Sequence, residues 1–149
     1  MIELDYRVSS IIDGADTPRL RQTLAQADLY DLTWEMFWGD LVFRVDGADF
    51  SGPGPVFDAA YVLFCVAQDL ERTSKRTYSA AEGAGEYTFH RKGGTVHVRE
   101  GNGPSGVVPF DEFRAATGDF LRKLVNDLCK RYPELRANPS IVKINRRLK

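Results

Sequence analysis

Residues 86–100 read EYTFHRKGGTVHVRE. Two runs of alternating, β-prone residues flank a Gly-Gly pair, the signature of a tight β-hairpin. A two-residue loop at Gly93–Gly94 in a type I′ turn sets the register. Lys92 opposes Thr95, Arg91 opposes Val96, His90 opposes His97, and Phe89 opposes Val98. One side of the ribbon carries Tyr87, Phe89, Val96 and Val98, which point to a core. The other carries Thr88, His90, Lys92, Thr95, His97 and Arg99, which point to water. Hairpin links of this kind build an antiparallel sheet.

The same alternation recurs upstream. Ile2, Leu4, Tyr6 and Val8 alternate with Glu3, Asp5, Arg7 and Ser9, a half-buried strand. Thr17 and Pro18 open a short helix as N-cap and first helical residue. LYDLTWEMFWGDLVFRVDGADF, residues 29–50, reads as the richest β segment. Trp34, Met36 and Trp38 share one parity, whereas Leu41, Phe43 and Val45 share the other. A β-bulge at Gly39–Asp40 re-phases one long strand, and a tight Gly-Asp hairpin is the other solution. Asp46–Gly47 turns the chain into a short strand ending near Phe50, and SGPGP reads as a loop.

Two further helical stretches complete the pattern. VFDAAYVLFCVAQDLER is apolar almost all round, so it is a central core helix. FDEFRAATGDFLRKLVNDLCKRY places Phe113, Ala116, Phe120, Leu121, Leu124 and Leu128 on one face, with Arg114, Arg122, Lys123, Asn126 and Lys130 opposite. Further strands are expected near 76–80 and 106–109, and a short one at Ile141–Ile144 in the tail. The fold class expected is α+β: a mainly antiparallel sheet with about three helices packed against it. A length of 149 residues suits a single domain, 1–149, with a core over 1–132 and a capping tail over 133–149.

The composition excludes several classes. No apolar run reaches the length of a membrane span, and the charged, alternating N-terminus is no signal peptide. Cys65 and Cys129 lie in helices as small buried hydrophobes, so a cytoplasmic location is expected. Residues 1–71 hold 13 acidic and 4 basic side chains, whereas residues 72–149 hold 8 and 16. Such asymmetry marks either a charged binding face or two halves that neutralise each other on folding.

His90 and His97 are the only histidines. A zinc site needs three or four protein ligands, and the nearest carboxylate of their parity, Glu86, lies roughly 13 Å from His90 along the strand. Lys92 and Arg99 repel a cation. No metal, cofactor or catalytic residue is therefore assigned, and His90, Lys92, His97 and Arg99 form a basic polar face. GNGPSG, residues 101–106, matches G-x-G-x-x-G, but a turn and a strand follow where a dinucleotide site needs a helix. Asn138-Pro139-Ser140 has proline in the position that blocks N-glycosylation.

Two binding surfaces remain. Glu35, Asp40, Asp46 and Asp49 lie on or beside a segment holding Trp34 and Trp38, an acidic patch with aromatic anchors for a basic protein partner. The basic residues of the hairpin and C-terminus are the counterpart for nucleic acid, which a pI near 6.1 disfavours. A pocket between sheet and helices using Tyr78, His90 or His97 is the enzymatic or small-ligand alternative.

FWGDLVFRVDG, then PVFDAAYVLFCVAQDL, a glycine-turned hairpin and VPFDEFRAATGDFLRKLVNDL resemble small uncharacterised actinobacterial α+β proteins. Their order of elements is similar to that of several bacterial toxin-immunity proteins. The resemblance covers residues 30–131 and brings no active-site residues. It implies stoichiometric binding of a protein partner, such as a toxin, rather than turnover.

Overall fold

The computed structural model describes residues 1–10, 23–79 and 86–149. Its strands form two antiparallel four-stranded sheets. The first holds β1 (Ile2–Ser10), β2 (Trp38–Val45), β3 (Ala48–Asp49) and β4 (Gly52–Pro55). The second runs in chain order through β5 (Lys75–Ser79), β6 (Glu86–Lys92), β7 (Thr95–Glu100) and β8 (Ser105–Pro109). Among the described residues the three longest helices pack with them: α1 (Val56–Asp69), α2 (Phe110–Arg131) and α3 (Pro139–Arg147). The helix expected from Thr17 begins outside the described residues, and residues 23–26 are helical.

The hairpin has the expected register, His90 opposite His97 and Phe89 opposite Val98. Phe89, Val96 and Val98 are fully buried. Of the turn residues only Gly93 takes a left-handed φ, 62°, so the turn follows the type II′ pattern rather than type I′. Arg91 shares the inward parity yet is satisfied at the ribbon's end. Its guanidinium lies 3.8 Å from the Phe110 ring centroid and donates to Leu70 O at 2.9 Å.

The segment before β2 departs from the strand reading. Asp31–Met36 is a π-helical turn, and the strand starts only at Trp38. Leu32, Thr33, Met36 and Phe37 are buried, a helical spacing, while Trp34 faces out. The parity switch is therefore a helix-to-strand junction, and β2 runs straight through Gly39–Asp40. The irregularity sits in the partner strand: the β1 register shifts between Val8 and Ser10, opposite Gly39 and Trp38.

SGPGP is not a loop. The return strand from the Asp46–Gly47 turn keeps one register from Val45 opposite Ala48 to Trp38 opposite Pro55. Between β3 and β4, Phe50 N–H donates to Phe43 O at 2.7 Å, and Phe43 N–H donates to Ser51 Oγ at 3.0 Å. An edge strand needs hydrogen bonds on one side only, so Pro53 and Pro55 are tolerated there.

Helix α1 divides the interior as a central helix should. Phe57, Ala60 and Phe64 join a cluster with Phe120, Leu121 and Leu124 of α2, and Leu63, Val66 and Ala67 join Phe89, Val96 and Val98 of the second sheet. The sheets meet where a Cβ on Gly106 would lie 2.3 Å from Val45 O. Gly118 lies inside α2 with nothing within 4 Å of an added Cβ. Gly118→Ala is expected to stabilise the protein by about 0.5–1 kcal/mol. A lowered thermal midpoint would contradict that.

The tail is helical where a strand was expected. Asn138 caps α3, Pro139 follows at the helix start, and Ile141 and Ile144 are buried in the cluster that also holds Leu24 and Leu135. Residues 141 and 144 are one helical turn apart, which buries both on a helix but splits them across the faces of a strand. Cys129 is buried and Cys65 is only half-buried, with Arg147 Nη1 3.8 Å from its sulfur. Both thiols are free. The acidic and basic halves do meet: Lys123 pairs with Asp5 at 3.0 Å, Arg114 with Glu71 at 3.0 Å and Arg76 with Asp69 at 3.1 Å.

Candidate functional site

The acidic, tryptophan-edged set divides in two. Trp34, Trp38 and Asp40 stay together, because the Trp38 indole N–H donates to Trp34 O at 3.2 Å and Asp40 follows Trp38 on the same face of β2. Asp46 and Asp49 lie toward the other end of that strand, roughly 20 Å and roughly 13 Å beyond Asp40 at the strand rise, because Asp49 opposes Arg44. Asp46 occupies the turn, and Asp49 pairs with Arg44 at 3.6 Å. The hydroxyl and N–H of Ser51, then Arg44, hold the Asp49 carboxyl below its ordinary value. The side chain of Glu35 lies outside the described residues. On the outer face of the first sheet Arg7 opposes Asp40 and Glu3 opposes Arg44, so cations interleave with the carboxylates.

Tyr30 completes the aromatic end, and the sequence reading missed it. Its ring stacks on Trp34 with centroids 5.8 Å apart and planes 13° from parallel. Tyr30 is 57% and Trp34 40% exposed. Asp28 accepts the Asp31 N–H at 2.9 Å, so its carboxylate is fixed at the start of the turn that carries the pair. The ledge arises because the π-helical turn buries Leu32 and Met36 and leaves Tyr30 and Trp34 on its opposite side. Read as a strand, residues 30 and 34 gave no sign of that pairing.

The basic face also forms. Lys75, His90 and His97 make one row across β5, β6 and β7, with Lys92 and Arg99 on neighbouring rows of the same face. Opposed residues on such a ribbon have Cβ atoms about 5 Å apart. Among the described residues no group of three or more His, Cys, Asp or Glu side chains could hold a metal ion.

A pocket of about 230 Å³ opens between the strand edge at β4, helix α1 and the second sheet. Tyr78, Tyr87 and Glu100 form a row across β5, β6 and β7 on the inward face, and all three line it. Tyr78 stacks on Tyr87 at 5.8 Å, and Phe43 and Phe50 lie 6.2 and 6.1 Å from Tyr87. Behind this wall the Tyr78 hydroxyl donates to Asp58 Oδ2 at 2.7 Å. Asp58 is 4% exposed, and burial raises its carboxyl pKa against the lowering effect of that bond. Burial and then Asp58 push the Tyr78 hydroxyl far up, so it stays protonated. Of Tyr78, His90 and His97, only Tyr78 lines this pocket. His90 and His97 lie on the opposite face of the sheet, away from the pocket.

No family model matches the chain, and no curated protein or solved structure matches it either.

Proposed function

We propose that this chain is a non-catalytic protein that binds a basic protein partner through the Tyr30–Trp34 ledge, as a bacterial immunity protein binds a toxin. The exposed stacked pair is the observation that carries the reading. Large aromatic side chains are ordinarily buried, and a contiguous exposed pair gains by being covered. Tyrosine and tryptophan are also the side chains that most often dominate interface energy. Asp28, Asp31 and Asp40 supply negative charge around the rings, which steers a basic partner and rejects an acidic one. No helix of the described residues is long and apolar enough to cross a membrane. Together with two free thiols, this supports action in the cytoplasm, a reducing compartment.

The test uses the product of the gene adjacent to this one. The two purified proteins are expected to form a one-to-one complex, and Trp34→Ala is expected to weaken it by about 30-fold or more without lowering the thermal midpoint. Absence of a complex, or unchanged affinity in both Trp34→Ala and Tyr30→Ala, would overturn the proposal.

A second reading, binding of a small molecule, is supported by the aromatic pocket under β4.

A further inference from the structure

We propose that the pocket bounded by β4, α1 and the Tyr78–Tyr87–Glu100 row binds a small organic cation of the alkylammonium class. The inference rests on the second reading above, that this pocket is a ligand site. Its chemistry is one-sided. Four aromatic side chains, Phe43, Phe50, Tyr78 and Tyr87, line it, and the faces of such rings attract cations. Among the described lining residues Glu100 is the only one with a formal charge, and it is negative. It stands directly opposite Tyr87 on the neighbouring strand.

The polar atoms around the pocket favour a ligand that carries positive charge or donates. The Tyr78 hydroxyl has spent its proton on Asp58, so it offers a ligand no donor. Asp58 is a second carboxyl behind the wall. Pro53 and Pro55 have no N–H, so the main chain at those two positions offers carbonyl oxygens alone. The Ser51 hydroxyl is engaged on both sides, accepting the Phe43 N–H and donating to the Asp49 carboxylate. An anion brought here would meet Glu100 and ring faces with no cation among the described lining residues to answer it.

Size narrows the class. About 230 Å³ is below the ~300–1,000 Å³ of sites for drug-sized ligands. A trimethylammonium group with a short tail suits such a space. Its methyl groups bury against the rings and Leu41, Ala59 and Leu63, while its charge needs no donor.

The experiment is a titration of the full chain followed by amide NMR, with three probes of one shape. Choline carries the charge, 3,3-dimethyl-1-butanol is its neutral carbon counterpart, and 3,3-dimethylbutanoate is its anionic relative. Choline is expected to shift the amides of Gly52, Gly54 and Glu100 and to bind about tenfold or more tightly than the neutral alcohol. Glu100→Gln is expected to lower choline affinity by about tenfold and to leave the alcohol unaffected. The comparison of probes on the unaltered chain stands whether or not the variant folds. Equal affinity for choline and the alcohol would overturn the cation class and leave the pocket as a ligand site. Preference for the butanoate would overturn it by sign. No shift with any probe would remove both the class and the pocket reading.

Discussion

Asn138→Ala is expected to destabilise the fold by about 3 kcal/mol or more. The side chain is completely buried and uses both ends. Its Oδ1 accepts the N–H groups of Ser140 and Ile141 at the start of α3, at 2.9 and 3.4 Å. Its Nδ2 donates to Leu24 O and Ala27 O, each at 2.7 Å. Alanine removes the cap and strands two buried carbonyls, the buried Ile141 N–H and the part-buried Ser140 N–H. Each stranded group costs roughly 1–3 kcal/mol. Asn138→Asp separates the two roles. It keeps an acceptor for the cap but turns an oxygen toward two carbonyl oxygens, so it is expected to be at least as harmful as alanine. Urea denaturation of the three proteins decides: losses below about 1 kcal/mol for both variants would show that water replaces these bonds.

Gly39→Ala is expected to cost about 3 kcal/mol, in contrast to the gain at Gly118. The added Cβ would lie 1.8 Å from Arg7 O and 2.8 Å from Val8 Cα. Those are backbone atoms of the neighbouring strand, so no side chain can swing aside. β1 must move off β2 at the place where its register already shifts. The disturbance should reach Trp38, the next residue, and through its indole bond the Trp34 ledge. Denaturant midpoint reports the loss, and amide shifts concentrated at Arg7, Val8 and Trp38 report its location. A fully stable variant would mean that β1 does not approach β2 this closely.

The hairpin shows how far local pattern reaches. Period-two burial and a Gly-Gly turn placed His90 opposite His97 because both act between chain neighbours. The same rules failed at residues 30–38, where Trp34, Met36 and Trp38 satisfy a strand's parity while Leu32, Met36 and Phe37 satisfy a helix's spacing. Burial of Leu32 and Phe37 in the cluster with Phe57 selects the helical turn. At SGPGP, glycine and proline carry no β signal, and only pairing with β2 makes a strand of them. Asn138-Pro139 is an ordinary helix start, an N-cap and a first-turn proline, and that signal could have revealed α3.

The candidate sites divide the same way. Trp34, Trp38 and Asp40 could be grouped from sequence because they lie within seven residues of each other. Tyr30 joined them only once the turn proved helical. Tyr87, Glu100 and Phe50 gave no sign of a common pocket, since three strands of one sheet and the edge of another bring them together.

The sequence by itself determined the α+β class, helices α1 and α2, the Asp46–Gly47 turn and the hairpin with its two faces. Side-chain period and turn chemistry operate over a few residues and need no other segment. Only the tertiary structure decided that the return strand continues to Pro55, that Tyr30 and Trp34 stack in the open, and that a pocket forms over Tyr78. Those outcomes depend on contacts between distant segments, as does the bond from Asn138 to Leu24, 114 positions apart. Their energies appear only when the packed partner is present.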